Sequence, residues 1–230
     1  MIKIDKASCL CLDTRAEERW PDIANMEKRL TKLDVCFEHF IANTQNNTKT
    51  TGDYFDVVDP DVSKWGYGRE GYKHHHWNAF QCHKIMIQRA IDEGRENLLL
   101  LEDDAYLPDR FESVWEKASK LLNPDQFDIL YLGWWVGNEN DEWNNTVEKT
   151  YKEKGAVELM KATQVGGLHG ALINKNMFRP ILELEANNPI DCQLNRVHRN
   201  INSFVLLPKI IHTRTTHSIC EGNVITRNEL

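Results

Sequence analysis

The chain has 230 residues, of which 41% are hydrophobic and 27% charged, and its formal net charge is −7. This composition is typical of a folded globular protein and excludes a disordered or collagen-like chain. The negative charge argues against nucleic acid as a partner, because general nucleic-acid affinity comes from neutralising phosphates. No apolar run approaches the roughly 20 residues that a membrane-spanning helix needs.

The N-terminal residues lack the apolar segment of a secretory signal. The six cysteines do not form paired C-x-x-C sets, and a chain of this length folds without disulfides. We therefore expect reduced thiols and a cytoplasmic location, in a bacterium or in a cell that hosts a virus.

Apolar runs with strand character alternate along the chain with stretches of helical spacing. The predicted strands cover residues 8–12, 35–40, 97–101, 127–133, 168–173, 204–207 and 210–211. The predicted helices cover residues 20–33, 76–91, 111–122 and 175–186. This order predicts one α/β domain over residues 1–230, with a mostly parallel, Rossmann-like central sheet flanked by helices.

Residues 41–73 are rich in Asn, Thr, Asp and Gly, which predicts a long irregular region. The run His74, His75 and His76 follows it. Together with Cys82 and His83, these histidines match no standard zinc-binding spacing. We expect the run to line the irregular region or to be exposed, and His83 to be a buried structural residue.

The most informative stretch is the leucine run 98–101, which leads directly into Glu102, Asp103 and Asp104. Ligands of open α/β sheets bind at the carboxyl ends of strands, and adjacent carboxylates repel one another unless a cation lies among them. If the strand continues, Glu102 and Asp104 point to the same side. This pattern suits Mg²⁺ or Mn²⁺ bound together with substrate phosphates. Alternatively, the acids only begin the next helix or face solvent.

Several motifs occur in an order that resembles a known family. The segments are LCLDTR at 10–15, FEHF at 37–40, QCH at 81–83, LLLEDD at 99–104, DILYLG at 128–133, GALI at 170–173, PID at 189–191 and HSI at 217–219. They resemble glycosyltransferase family 25, the lipooligosaccharide and procollagen galactosyltransferase-like enzymes. In this comparison the acidic segment is the counterpart of the Asp-x-Asp motif, and Cys82 stands where the family has Ser.

The resemblance implies a GT-A fold and a hexosyltransferase that moves a hexose from a sugar-nucleotide, expected to be a UDP-sugar, with inversion. The expected acceptor is a hydroxyl of a glycan, a lipooligosaccharide or a protein, and the expected cofactor is Mn²⁺ or Mg²⁺. The resemblance also implies that Asp104 binds the metal directly, that Glu102 helps through water or the ribose, and that Asp103 lies at the nucleotide. His212 is the expected third ligand, because a neutral imidazole can complete the shell; alternatively, it hydrogen-bonds within a loop.

The end of the first predicted strand is expected to meet the nucleotide. The residues concerned are Leu12, Asp13, Arg15 and Arg19. Arginine suits bidentate contacts to phosphate. The alternative for both arginines is a solvated first turn of the helix that follows.

Inversion by direct displacement needs a general base that takes the proton of the acceptor hydroxyl. The resemblance implies that Asp191, in the Pro-Ile-Asp segment, is this base. The alternative is that Asp191 caps a helix that continues through Leu194 and Val197.

Aromatic and glycine residues supply the expected substrate contacts. Trp134 and Trp135 follow a predicted strand, and indole faces can stack on sugars, although one of the two rings is as well suited to the core. His169 and Gly170 belong to a glycine-rich stretch that lets the backbone approach the donor sugar, or that forms an ordinary turn.

Two other functions fit the same residues. One is a catalytically silent GT-A-like module that binds carbohydrate or protein, which the departure at Cys82 leaves open. The other is a metal-dependent nucleotidyl or phosphoryl transferase, since acids at a strand end also serve those reactions. The sequence has no G-x-x-x-x-G-K-[ST] phosphate loop, which counts against kinase-like versions.

Overall fold

An eight-stranded sheet organises the part of the chain that the computed structural model describes, which comprises residues 1–12, 16–43, 55–56, 65–66, 73–136, 157–214, 216–218 and 223–225. The strands, in chain order, are β1 (Lys6–Leu12), β2 (Cys36–Asn43), β3 (Phe55–Asp56), β4 (Asn97–Glu102), β5 (Ala105–Tyr106), β6 (Ile129–Tyr131), β7 (Trp135–Val136), β8 (Glu158–Lys161), β9 (Val165–Gly166), β10 (Ala171–Asn174), β11 (Ser203–Leu207), β12 (His212–Thr213), β13 (Thr216–Ser218) and β14 (Asn223–Ile225). The α-helices are α1 (Ala16–Thr31), α2 (Lys73–Asp92), α3 (Phe111–Ala118), α4 (Lys175–Leu182) and α5 (Ile190–Leu194), and short 3-10 helices cover Pro124–Gln126 and His198–Asn200.

The strand order in the main sheet is β3-β2-β1-β4-β10-β6-β11-β8. Within the described part of the chain, β10 and β8 run against the other six strands. The prediction of an α/β fold with a mostly parallel central sheet flanked by helices is therefore confirmed. None of the described helices is both long enough and apolar enough to cross a bilayer.

The leucine run of β4 is buried on both faces of the sheet. Side chains alternate between the two faces of a strand. Leu98 and Leu100 enter a core cluster that includes residues of α2 and α4. Leu99 and Leu101 enter a second cluster, which includes residues of α1 and α3. A strand covered on both sides has to be apolar at every position, and each fully buried leucine contributes about 1.5–3 kcal/mol.

Several helix boundaries differ from the predicted ones. α1 begins at Ala16, a turn earlier than expected, so that Pro21 lies inside it; Glu17 and Glu18 favour this start because acids stabilise the first turn of a helix. α2 begins at Lys73, so the histidine run belongs to its first turn instead of preceding it. α3 and α4 end before their predicted limits at residues 122 and 186.

The predicted irregular region 41–73 is wrong at residues 41–43, 55–56 and 73, which belong to strands or a helix, whereas Trp65 and Gly66 are irregular as predicted. β2 continues to Asn43, and β3 pairs with it in parallel through Ala42 and Phe55. A two-residue strand has no periodicity that a sequence pattern can display. Apart from Phe55, Asp56, Trp65 and Gly66, residues 44–72 lie outside the described part of the chain.

The predicted strand at 210–211 is also wrong. Both residues donate backbone hydrogen bonds to the carbonyl of Leu132, at 3.0 and 3.1 Å. The strand begins one residue later, as β12, where the chain pairs with β5.

A buried ion cluster lies at the start of β1. The Lys6 ammonium, on a side chain only 3% exposed, lies 3.0 Å from the Glu38 carboxylate and 2.6 Å from that of Glu93. Ser8 and Arg89 each donate a hydrogen bond of 2.6 Å to Glu38. Burial acts to raise the pKa of Glu38, but the hydrogen bonds from Ser8, Arg89 and Lys6 lower it below its ordinary value of 4.5.

We expect Glu38→Gln to lower the free energy of unfolding at neutral pH by about 2 kcal/mol, because a buried charge loses a charged partner. A lowered pKa stabilises the fold above the unfolded value and loses its effect as the pH falls through the folded value. The difference between wild type and variant, measured by urea unfolding, should therefore narrow as the pH falls below the ordinary value of 4.5.

Glu96→Gln is the matched control, because Glu96 forms an ion pair of 2.6 Å with Lys175 in which both side chains are more than half exposed. Its effect should stay within about 0.5 kcal/mol. Equal losses for the two variants would show that burial adds nothing to the cluster at Glu38.

Candidate functional site

One edge of the sheet collects most of the predicted site residues. β1, β4, β6 and β11 run in the same direction and end there, whereas β10 runs in the opposite direction and begins there. We call this the carboxyl edge. The residues at or next to these strand ends are Leu12 after β1, Glu102 after β4, Trp134 and Trp135 after β6, His169 and Gly170 before β10, and His212 after β11. Asp13 and Arg15 lie outside the described residues.

The three acids form the end of β4 and the turn that follows it. Glu102 is the last residue of the strand, and Asp103 and Asp104 form the turn into β5. The strand ends at Glu102, so strand alternation does not set the direction of the Asp104 side chain, and the placement of Glu102 and Asp104 on the same side stays a prediction. All three side chains are half-buried, and Oδ2 of Asp103 and Oδ1 of Asp104 are withdrawn from solvent.

The chain returns to these acids through β12. β5 and β12 pair antiparallel, with His212 opposite Tyr106 and their rings 5.6 Å apart. The backbone N–H of Arg214 donates a hydrogen bond of 2.9 Å to the carbonyl of Asp104. The strand that carries His212 is thus held beside the acidic turn. Within the described ranges, no group of three or more His, Cys, Asp and Glu side chains is arranged to hold a metal ion.

The negative charge of the turn acts on residues in the neighbouring strands. Burial raises the pKa of the Cys9 thiol well above its ordinary value, and Asp103, Cys11, Asp104 and Glu102 raise it further. Burial lowers the pKa of His39, while Glu27 and Asp103 act in the opposite direction. The acids therefore concentrate negative potential at the carboxyl edge, and a bound cation would relieve it.

Arg19 is the described arginine among the predicted nucleotide contacts. It lies in the first turns of α1 and is buried, with its guanidinium 3.6 Å from the Glu18 carboxylate. The next residue, Trp20, is 55% exposed, and its ring lies 5.7 Å from that of His39. The burial of Arg19 does not match its alternative interpretation as part of a solvated turn.

The two tryptophans differ in their surroundings. Trp134 is buried in the core, and its indole N–H donates a hydrogen bond of 3.3 Å to the carbonyl of Leu206. The Lys209 ammonium lies 4.4 Å from the centre of the Trp134 ring. Trp135 is half-buried, and its ring lies 4.4 Å from that of the buried His169. Trp134 is therefore the core member of the pair.

Glycines permit the close packing around these rings. Gly167 has φ +84°, and a Cβ at this position would lie 2.5 Å from the Trp135 ring. A Cβ on Gly170 would lie 2.6 Å from the backbone nitrogen of Gly133. Gly170 thus permits a close approach between its own backbone and that of Gly133. The expected approach of the Gly170 backbone to the donor sugar stays a prediction.

A small cleft opens at this packing, with a volume of about 10 Å³. Its lining consists of Trp134, Trp135, His169, Lys209, Ile211, His212 and Thr213. Lys209 and Thr213 were not predicted as site residues, because Lys209 is an isolated residue between β11 and β12 and Thr213 is the last residue of the two-residue strand β12, so neither belongs to a motif.

Asp191 lies at the same edge, although it comes from a different element. It belongs to the first turn of α5, whose N-cap position is Pro189. Its Oδ2 accepts a hydrogen bond of 2.9 Å from the N–H of Gly167, and its Oδ1 accepts one of 2.9 Å from the N–H of Cys192. The carboxylate is therefore fixed against the residue that packs on Trp135.

Buried neutral groups surround the Asp191 carboxylate. Burial lowers the pKa of His83 to about 4, against the opposing effects of Asp191 and of a hydrogen bond to the Ala79 backbone. Burial also lowers the pKa of His198 to about 4. The Nε2 atom of His198 lies 2.9 Å from the hydroxyl of Tyr131. His83 and His198 are therefore uncharged near neutral pH.

No family model and no curated protein matches the sequence. Among solved structures, the chain is similar to the galactosyltransferase LgtC in complex with donor and acceptor sugar analogues, at 9% identity and a TM-score of 0.45, over 92% of this chain and 87% of that one. It is also similar to a glycosyltransferase involved in the glycosylation of the major capsid of PBCV-1, at 9% identity and a TM-score of 0.43, over 78% of this chain and 63% of that one. Mouse xyloside xylosyltransferase 1 is similar at 13% identity and a TM-score of 0.40, over 88% of this chain and 78% of that one. The chain thus spans less than two thirds of the PBCV-1 enzyme, and likenesses of this size assign no activity.

Proposed function

We propose that this chain is a metal-dependent glycosyltransferase of GT-A type, related to family 25, that moves a hexose from a sugar-nucleotide to an acceptor hydroxyl with inversion. The proposed donor is a UDP-sugar, the acceptor is a glycan, a lipooligosaccharide or a protein, and the setting is the cytoplasm. One observation carries the proposal: the acidic turn after β4, the strand with His212, the aromatic cleft and Asp191 all lie at the carboxyl edge.

The residues at the acidic turn have the donor chemistry that Mn²⁺ or Mg²⁺ requires. Within the described ranges these side chains do not form a preassembled ion site. Glu102, Asp104 and His212 would hold the ion together with the donor phosphates, which would complete the shell, since such ions are often bound by one or two carboxylates plus substrate phosphates. When bound, the ion neutralises the charge that develops on the leaving diphosphate.

The nucleotide is proposed to lie over the end of β1. Leu12 is the last residue of β1. β1 pairs with β4, the strand that leads to Glu102 and Asp103. Arg15 and Arg19 would contact the phosphates, and Leu12 and Asp13 would meet the nucleotide beside them. This placement puts the donor's diphosphate beside the acidic turn.

Asp191 is proposed as the general base. Its hydrogen bond with the N–H of Gly167 fixes the carboxylate near Trp135, the indole that would form the wall of the acceptor site. A carboxylate held in this way can take the proton of an acceptor hydroxyl as the new glycosidic bond forms. The His169 ring packs against the Trp135 ring, with 4.4 Å between the ring centres, and Gly170, the next residue, permits the close approach to the backbone of Gly133.

An assay of released products tests the type of reaction. The wild-type chain is incubated with Mn²⁺ and a panel of sugar-nucleotides or nucleoside triphosphates. Release of a nucleoside diphosphate from a sugar-nucleotide supports the proposal. Release of pyrophosphate indicates a nucleotidyl transferase, and glycan binding without any release indicates a silent module.

We expect UDP with Mn²⁺ to raise the Tm of the wild-type chain by about 5 °C at saturation. Asp104→Asn should lose most of this shift, because it removes one of the charges that hold the ion. Differential scanning fluorimetry with and without the ligands measures both effects.

Asp125→Asn is the control for this experiment, since Asp125 is an exposed acid in a 3-10 helix. It should keep the full shift. If millimolar UDP and Mn²⁺ leave the wild-type Tm unchanged, the proposal loses its main support.

We expect Asp191→Asn to lower kcat by at least about 100-fold, because the general base is lost. The Asn side chain still offers an oxygen to the N–H of Gly167 but loses the bond from the N–H of Cys192; the Tm of the variant checks its fold, and its affinity for UDP should be retained. Steady-state kinetics together with UDP titration measure the two effects separately. A variant with wild-type kcat would exclude Asp191 as the base.

A further inference from the structure

The cleft beside the acidic turn is lined by basic, aromatic and hydroxyl side chains. None of its described lining residues is an acid. The three acids at 102–104 come directly before β5, the strand that pairs with β12. Its volume of about 10 Å³ has room for one oxygen-sized group, such as a water molecule or one oxygen of a larger anion.

Thr213 gives the first indication of what occupies this cleft. The residue is only 4% exposed and lines the cleft, and its Oγ1 has no hydrogen-bond partner within the described part of the chain. A buried hydroxyl that makes no hydrogen bond lowers stability. Its presence points to a ligand oxygen that completes its hydrogen bonding.

Lys209 gives the second, independent indication. Its ammonium lies 4.4 Å from the centre of the Trp134 ring, and the buried indole face holds this positive charge at the cleft. The arrangement separates charge at the carboxyl edge: a positive charge lies at the cleft, and the negative charges lie at the turn after β4.

We propose that Lys209 and Thr213 form an anion subsite that binds a phosphate or carboxylate oxygen of the substrate. This inference deepens the proposed function and rests on it. The anionic oxygen has two possible sources, which share this chemistry: the diphosphate of the donor, at the His212 side of the cleft, or an acidic group on the acceptor, at the Trp135 side.

The test compares two pairs of ligands whose members differ in their anionic group: UDP against uridine, and galacturonate against galactose. Isothermal titration of the full chain with Mn²⁺ measures each affinity. Lys209→Gln should weaken the anionic member of one pair about tenfold and leave the neutral member unchanged. A change confined to UDP identifies the donor diphosphate, and a change confined to galacturonate identifies an acidic acceptor.

Thr213→Val removes the hydroxyl at similar volume and should weaken the same ligand about threefold, whereas Thr213→Ser should bind it like wild type. Lys120→Gln is the charge-matched control, because Lys120 is exposed and forms an ion pair with Glu116; it should change neither pair.

Three results overturn the subsite: unchanged anion affinity in both Lys209→Gln and Thr213→Val, an equal loss in Lys120→Gln, or a wild-type chain that binds neither anion. The binding of UDP by the wild-type chain tests the proposed function separately. Lys209-dependent binding of galacturonate without any binding of UDP keeps the subsite and removes the glycosyltransferase. Binding of UDP that neither variant changes removes the subsite alone.

Discussion

The burial of β4 on both faces is the constraint on which the rest of the molecule depends. Four leucines fill two separate core clusters, so no polar side chain can leave this strand except at its ends. The acids at 102–104 therefore occupy the first positions where the chain leaves the core. β1, β6 and β11 run in the same direction as β4. The residues that follow these four strands therefore lie at the same edge of the sheet, although they are far apart in the sequence.

The antiparallel strand β10 brings further residues to that edge. Inserted between β4 and β6, it begins where they end, and its preceding loop carries Gly167 and His169 to Trp135. A parallel strand at this place would put the same loop at the opposite edge. The contact between Asp191 and Gly167 thus follows from the direction of one strand, and no local pattern around Asp191 reveals it.

The sequence predicted the central strands because full burial leaves an uninterrupted apolar run, as in 97–101, and it predicted the main helices because burial on one face leaves helical spacing. The sequence did not predict strand pairing between short segments that are far apart in the chain. β5 and β12 have two residues each, too few to show a period, yet their pairing sets His212 beside the acids. The turn at Asp103 contains no Gly or Pro, so the sequence left open whether the strand continues past Glu102. Lys209 and Thr213 belong to no motif and become visible only when the cleft is formed.

The charges of the acidic turn act against the stability of the fold. Three half-buried carboxylates at consecutive positions repel one another, and the buried Thr213 hydroxyl adds a second unfavourable feature nearby. A domain tolerates such unfavourable features only where its core contributes enough stability to offset them, and these features are concentrated at functional sites. In the proposed function the two features take opposite partners: a cation at the carboxylates, and an anionic oxygen at Lys209 and Thr213. A metal ion together with a diphosphate would supply both partners, so the proposed substrate complex carries the charges that suit the acidic turn and the cleft at the same time.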